Sequence, residues 1–198
     1  MTDAALPPTF FARPVDVVAR DLIGAVLTVD GTGGRIVETE AYDAGDAASH
    51  SFRGPTARNA AMFGPVGHAY VYRIYGLHWC LNLVAGTEPG GAVLVRALEP
   101  MLGRERMRRR RGGSDDRGLC SGPGRLCQAL DVDRRLDGLA LDAAPFALVA
   151  APGRTRVLAG PRIGITRAVD LPRRFGEAES PWLSRPFPAI PRSIPGPL

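Results

Sequence analysis

The chain has 198 residues, 45% of them hydrophobic, which is enough for one compact domain and leaves little room for two. Its formal net charge of +5 is compatible with an anionic partner such as nucleic acid. No apolar run approaches the roughly 20 residues that span a bilayer, and the start lacks the charged and apolar regions of a signal peptide. We therefore expect a cytoplasmic protein with no membrane partner, and one domain over residues 1–198 with extended tails at 1–10 and 185–198.

The first half of the chain is predicted to begin with a short helix over residues 14–22, because Val15, Val18 and Leu22 lie on one apolar stripe. Two strands follow at residues 25–29 and 35–42, joined as a hairpin by the glycine-rich turn between them. The long segment after Tyr42 is predicted to be mainly loop as far as Gly67.

A second hairpin is predicted from residues 69–74 and 79–84, with the chain reversing near Gly76. This register would set Tyr72 across from Leu81 or Asn82. Tyr75 would then lie at the exposed tip of the hairpin.

The second half mixes further strands with two helices. Ser121 is predicted to cap the second of these helices, with Pro123 in its first turn. Strands outnumber helices and do not alternate with them regularly, which predicts an α+β domain with a mainly antiparallel, curved sheet. The predicted elements are strands at 92–98, 146–150 and 157–165, and helices at 103–111 and 122–130.

Two carboxylates stand out within the predicted strand 35–42. Glu38 and Glu40 share one face with Tyr42, because side chains two apart on a strand point the same way. Paired carboxylates are typical of acid and base chemistry. Arg96 interrupts a later apolar strand, and a buried guanidinium needs an acidic partner. We expect Arg96 to face Glu40.

Residues 35–42 (Arg-Ile-Val-Glu-Thr-Glu-Ala-Tyr) and 70–76 (Tyr-Val-Tyr-Arg-Ile-Tyr-Gly) resemble the alkyladenine (3-methyladenine) DNA glycosylase family. The similarity extends from about residue 9 to residue 185. The other matching segments are Phe11-Ala-Arg-Pro, Ala19-Arg-Asp-Leu-Ile-Gly, Ala48-Ser-His-Ser, Thr56-Ala-Arg-Asn, Met62-Phe63, Trp79-Cys-Leu-Asn, Val95-Arg-Ala-Leu-Glu-Pro and Cys120-Ser-Gly-Pro-Gly-Arg-Leu-Cys-Gln-Ala-Leu.

The resemblance implies a catalytic centre at Glu40, the general base that activates a water, with Arg96 helping to hold that water. It implies that Glu38 is structural. Tyr75 matches the residue that intercalates into DNA, and Leu77 stands beside it where many relatives carry methionine. The base pocket implied by the resemblance consists of Tyr42, His50, Tyr72, Asn82, Ile163 and Gly164.

Asn82 matches an asparagine that the family uses against the exocyclic amine of guanine. Arg58 and Asn59 match a segment that touches the DNA backbone. The implied partner is double-stranded DNA that contains a damaged purine, bound by a monomer. Hydrolysis by a positioned carboxylate requires no metal or cofactor.

The basic residues narrow the chemistry further. All 25 are arginines, so no lysine amine is available to form the Schiff base of a glycosylase that also nicks the backbone. We therefore predict a monofunctional enzyme that leaves an abasic site.

Several alternatives stay open at this stage. The fold could serve a non-catalytic module that recognises damage or binds RNA, or a hydrolase of small nucleosides. The aromatic residues could be plain core, and His50 a satisfied structural group. The arginine run at 104–111 could be a solvated helix face or a phosphate contact.

Overall fold

The structure is a computed structural model that describes residues 5–113, 115–153 and 155–188. The strands are β1 (Val26–Val29), β2 (Thr32–Tyr42), β3 (Ala69–Ile74), β4 (His78–Val84), β5 (Ala92–Leu102), β6 (Phe146–Val149), β7 (Val157–Gly160) and β8 (Arg174–Glu177). The α-helices are α1 (Pro8–Phe11), α2 (Val15–Asp21), α3 (Arg104–Arg110), α4 (Asp116–Leu119) and α5 (Pro123–Leu130), with 3-10 turns at Ala60–Phe63 and Arg134–Leu136.

Over the described ranges, the eight strands form one sheet in which neighbouring strands run antiparallel. Its main path is β3-β4-β5-β2-β1-β6, and β8 pairs with both β2 and β7. One edge of β2 meets β5, while the other meets β1 and then β8, so the sheet curls around β2. These observations confirm the predicted α+β class with a mainly antiparallel sheet.

The start of β2 shows why its predicted boundary was wrong. Gly33 and Gly34, interpreted from the sequence as turn residues, lie inside the strand. A Cβ on Gly33 would fall 2.0 Å from the carbonyl oxygen of Leu27, and one on Gly34 would fall 1.8 Å from that of Glu99. The glycines therefore allow β1 and β5 to approach β2 closely on both edges.

A pair of irregularities in the β2–β5 ladder positions the buried charges. The register shifts once between Ile36 and Glu38 and again between Glu38 and Thr39, which leaves Arg96 without a direct cross-strand partner. A bulge of this kind bends a strand and redirects its side chains. Here it accompanies the approach of Arg96 to both Glu38 and Glu40.

The hairpin of β3 and β4 is present, but its register differs from the prediction. Tyr72 pairs with Cys80, and Asn82 pairs with Tyr70. Tyr75 and Gly76 both have positive φ, and the amide of Leu77 donates to the carbonyl of Ile74, which is the pattern of a type I′ turn. Because the turn is tight, Tyr72 pairs with a residue of β4 that lies one or two positions earlier than predicted.

Helices α2 and α5 cover the sheet and bury its apolar face. Each fully buried leucine or isoleucine contributes roughly 1.5–3 kcal/mol relative to an exposed one. Members of this core with less than 2% exposure include Leu22, Leu27, Ile36, Leu81, Leu98 and Leu126.

Several local predictions were wrong in detail. The cap of α5 is Gly122, with no side-chain hydrogen bond, rather than Ser121. The strand predicted at 157–165 ends at Gly160, because the chain then turns towards the site described below. Strand β8 was not predicted, since Arg174–Glu177 is short and lacks an apolar alternation.

The predicted tails are described only in part, because residues 1–4 and 189–198 lie outside the described ranges. Residues 8–11 form α1 rather than an extended tail, and the amide of Leu6 donates to the carbonyl of Leu148. At the other end, the Phe187 ring lies over Arg174, with its centroid 4.1 Å from the guanidinium carbon. The chain is therefore anchored to the sheet near both ends.

The arginine run forms α3, and several of its side chains are engaged within the protein. Arg104 and Arg108 pair with Asp116, and Arg106 donates to the carbonyl of Asp30. Arg110 donates to the carbonyl of Ala129. These contacts favour a structural use of the run over phosphate contact.

No helix within the described ranges is long and apolar enough to cross a bilayer.

Candidate active site

The carboxylate of Glu40 is held from three directions. Its Oε2 accepts from the Tyr42 hydroxyl at 2.8 Å and from Arg96 Nη1 at 3.2 Å. Its Oε1 accepts from the backbone amide of Ile163 at 2.7 Å. Because these donors come from β2, β5 and the segment after β7, the carboxylate is fixed by three separate parts of the chain.

The second carboxylate, Glu38, is engaged in a separate network. Arg174 Nε donates to Glu38 Oε1 at 2.7 Å, and Ser184 donates to Glu38 through both its amide and its hydroxyl. Arg96 Nε lies 3.3 Å from Glu38 Oε1 and so connects the two carboxylates. Glu38 thus anchors the carboxy-terminal segment and Arg96, which fits the structural use implied by the sequence.

Burial sets the electrostatics of Glu40, whose side chain exposes none of its surface. Desolvation raises the pKa of Glu40 above its ordinary value, and the charge of Glu38 raises it further. Arg96, the Ile163 amide and the Tyr42 hydroxyl oppose this rise only in part. A raised pKa in a carboxylate makes it a better proton acceptor.

A cavity of about 200 Å³ opens beside Glu40. That volume lies below the roughly 300–1,000 Å³ of pockets for drug-sized ligands, so it favours a small ligand. The lining includes every residue that the resemblance assigned to catalysis or to the base pocket. These are Glu40, Tyr42, His50, Tyr72, Asn82, Arg96, Ile163 and Gly164.

Two of the expected pocket rings touch each other. The centroids of His50 and Tyr72 lie 4.4 Å apart in an edge-on arrangement. His50 Nδ1 shares a hydrogen bond of 2.9 Å with the Tyr70 hydroxyl, which orients the imidazole. Burial, and secondarily the charge of Arg58, lowers the pKa of His50, so the ring is neutral at pH 7.

Tyr42 connects the carboxylate to the aromatic lining. Arg162 lies over one face of its ring, with the guanidinium carbon 4.6 Å from the centroid. Burial, and then the nearby Glu40, raises the pKa of Tyr42, so its hydroxyl stays protonated and donates. Tyr42 therefore presents a neutral ring to the cavity.

Asn82 lines the cavity from β4, and its Nδ2 donates to the carbonyl of Tyr70 at 3.0 Å. This bond uses one donor and leaves the rest of the amide group for a ligand. Because Asn82 is only 4% exposed, its amide is held in one place.

The hairpin tip carries two large side chains that are mostly exposed. Tyr75 is 81% exposed and Leu77 is 72% exposed. A φ of 53° at Tyr75 places a bulky aromatic in the left-handed region, which glycine prefers. Strain of this kind at an exposed aromatic points to a function outside the folded core.

The two residues expected at the DNA backbone differ from each other. Arg58 is exposed, and its Nη2 donates to the carbonyl of Arg73 on β3. Asn59 is only 4% exposed, and its amide bonds to Thr56 and to the carbonyls of His50 and Gly54. These bonds stabilise the loop that carries His50, and the expected contact of Asn59 with DNA stays a prediction.

The described side chains contain no group of three or more histidine, cysteine, aspartate or glutamate residues that could hold a metal ion.

Three contributors to the site were missed from the sequence. Tyr70 could have been found, because it lies two residues before Tyr72 and so on the same face of β3. Arg162 could also have been found, because it is a charged residue directly before Ile163, which the resemblance had assigned to the pocket. Ser184 gave no signal, because its contact with Glu38 spans 146 residues.

Comparison with known proteins agrees with this geometry. The family model of methylpurine-DNA glycosylases matches residues 9–181. Three relatives have names that carry the words 3-methyladenine DNA glycosylase. The relative from Granulibacter bethesdensis is 57% identical over 188 residues, covering 93% of this chain and 89% of its own length. Those from Nitrosospira multiformis and Rhizobium meliloti are each 59% identical, covering 90% of this chain and 92% and 95% of their own lengths.

The family match spans most of the chain, including both strands that carry Glu40 and Arg96 and the segment that carries Ile163. The alignments with the three relatives cover 90–93% of this chain. The chain belongs to the methylpurine-DNA glycosylase family.

Proposed function

We propose that this DNA glycosylase flips an alkylated or otherwise modified purine out of duplex DNA and hydrolyses its N-glycosidic bond with a water activated by Glu40. The observation that carries the proposal is the Glu40 carboxylate at the wall of a ring-lined cavity. Family membership supports the activity in general, and the relatives' names point to 3-methyladenine. Hypoxanthine and ethenoadenine are further candidate substrates.

Cleavage of an N-glycosidic bond places positive charge on the sugar and requires a nucleophilic water. Glu40 would stabilise that charge and accept the proton of the water. Arg96, held at 3.2 Å from Glu40, would help to orient the water.

Extraction of a base leaves a gap in the duplex that has to be filled. Tyr75 at the hairpin tip would enter this gap, with Leu77 beside it. The flipped purine would then stack among Tyr42, His50 and Tyr72, where Asn82 could select against the exocyclic amine of guanine. We also propose that the enzyme acts as a monomer on chromosomal DNA in the cytoplasm, with Arg58 near the DNA backbone.

The pH dependence of excision should report on Glu40. Glu40 has to be ionised to accept a proton, and burial raises its pKa above the ordinary value of about 4.3. Activity should therefore fall as the pH drops through this raised pKa, at a higher pH than for an exposed glutamate. Single-turnover rates at a series of pH values check this, on enzyme shown to stay folded. A rate that begins to fall only at the pH where ordinary carboxylates titrate would contradict it.

The products should be a free base and an intact strand with an abasic site. Without lysine, only the terminal amine could form a Schiff base, and we predict that borohydride traps no covalent complex. Chelators should leave the rate unchanged, since the proposed chemistry uses only protein side chains and water. The assay is base release with and without EDTA; chelator-sensitive activity that zinc or magnesium restores would refute the mechanism.

The same assay should be run on free modified nucleosides. We expect turnover of the duplex substrate to exceed that of the nucleoside by a wide margin. Efficient nucleoside cleavage with no preference for DNA would favour a hydrolase of small nucleosides instead.

A further inference from the structure

One buried charge pair near the site has no part in the proposed chemistry. The side chains of Arg162 and Asp46 expose none of their surface. Arg162 Nη2 donates to Asp46 Oδ1 at 3.0 Å, and Nη1 donates to the other carboxylate oxygen. The two residues are separated by 116 positions in the chain, so the pair ties two distant loops together.

The rest of the Arg162 guanidinium extends this connection. Nη1 also donates to the carbonyl of Ala41 at 3.0 Å, and Nη2 donates to the carbonyl of Ala168 at 3.3 Å. The group lies over the ring of Tyr42. Arg162 thus contacts the backbone and the ring of the two residues that follow Glu40 on β2, without lining the cavity itself.

Arg162 directly precedes a residue that binds the Glu40 carboxylate. The next residue is Ile163, whose amide donates to Glu40 Oε1 at 2.7 Å. A loop that carries such an amide has no strand ladder to fix it, because β7 ends at Gly160. The bidentate pair with Asp46 supplies the rigid attachment that the strand does not.

We propose that Arg162, held by Asp46, is a positioning residue that fixes both the Ile163 amide and the Tyr42 ring against Glu40. The inference rests on the proposed function of Glu40 as the base. It assigns catalytic consequence to two side chains that need not touch the substrate. Both act through the orientation and the proton affinity of Glu40.

The groups that face Glu40 come from several elements, and their charges act together. Tyr42 and Glu38 lie on β2, Arg96 on β5, Cys80 on β4, and the Ile163 amide and Arg162 on the segment after β7. Of these, the position of the Ile163 amide depends directly on the pair with Asp46. Loss of the pair should weaken the hydrogen bond from this amide, which lowers the pKa of Glu40, and should so raise that pKa further.

The test uses Asp46→Asn and Arg162→Lys, with Arg173→Gln as a matched control. Arg173 belongs to the same charge cluster, with Asp43 at 2.7 Å and Asp46 at 3.8 Å, but it does not line the cavity. For the two test variants we expect single-turnover excision to fall about 10- to 100-fold. In Arg162→Lys, which keeps the positive charge, the acid limb of the pH profile should move up by about one pH unit, while DNA affinity stays the same. The control should keep the wild-type limb and rate.

A second readout does not depend on activity. In protein labelled with ¹⁵N-isoleucine, the Ile163 resonance, assigned through Ile163→Val, should shift as Glu40 titrates. Its midpoint should rise in Arg162→Lys and stay unchanged in Arg173→Gln. An unchanged midpoint and acid limb in folded Arg162→Lys would overturn the inference, as would an equal shift in the control. Absence of excision by the wild type would instead refute the proposed function.

Discussion

Glu40→Gln is expected to reduce single-turnover base excision about 10²- to 10⁴-fold, the range that general acid and base groups contribute. The amide cannot accept the proton of the water and carries no charge to stabilise the sugar. DNA binding should be unchanged, because Glu40 is buried and Arg96 retains Glu38 as a partner. Rates compared at equal amounts of bound DNA check this.

Glu38→Gln is the matched control, since it changes the neighbouring buried carboxylate in the same way. Glu38 accepts from Arg174 and Ser184, so its loss should lower the free energy of unfolding, by about 3–5 kcal/mol if the pair is broken. Its folded fraction should retain more activity than Glu40→Gln. The reverse order, with Glu38→Gln inactive and Glu40→Gln active, would exchange the roles of the two carboxylates.

Tyr75→Ala is expected to lower excision from a fully paired duplex by about 10- to 100-fold. Stacking of one base on an aromatic ring is worth roughly 1–3 kcal/mol, and the alanine variant has no ring to fill the vacated stack. Thermal stability should not fall, because the ring is 81% exposed. The loss should be smaller when the modified base is unpaired, since flipping then costs less.

Tyr75→Phe is the control for this change and should retain most of the activity, because it keeps the ring and loses only the hydroxyl. An alanine variant as active as the wild type on paired duplex would contradict a wedge at the hairpin tip. Loss of duplex activity with full turnover of free nucleosides would favour the small-nucleoside hydrolase.

Local patterns predicted the parts of the site that lie within single strands. Alternation in residues 35–42 placed Glu38 and Glu40 on one face, and the isolated charge of Arg96 within an apolar strand predicted its acidic partner. The hairpin that carries Tyr72 and Asn82 was also predicted. The register of the hairpin was not predicted, because a shift of the turn by one residue changes every pair along the two strands. Periodicity does not locate a turn to within one residue.

Contacts between distant parts of the chain were beyond such patterns. The Ile163 amide reaches Glu40 across 123 residues, and family resemblance rather than periodicity brought Ile163 into the predicted pocket. Arg162 and Asp46 were not predicted, because neither strand nor helix periodicity pairs two loops. The start of β2 was predicted too late because of its glycines. Glycine is typical of turns, but it is also required where neighbouring strands approach closely, as they do here.

The most direct test of the central claim is the release of free base by the wild-type enzyme under single-turnover conditions. The substrates are duplexes that each carry one hypoxanthine, ethenoadenine or alkylated purine, beside an otherwise identical undamaged duplex. We predict release of the modified base from at least one of them, leaving an abasic site that alkali cleaves. Binding to all of these duplexes without release from any would contradict the account and favour a non-catalytic recognition module.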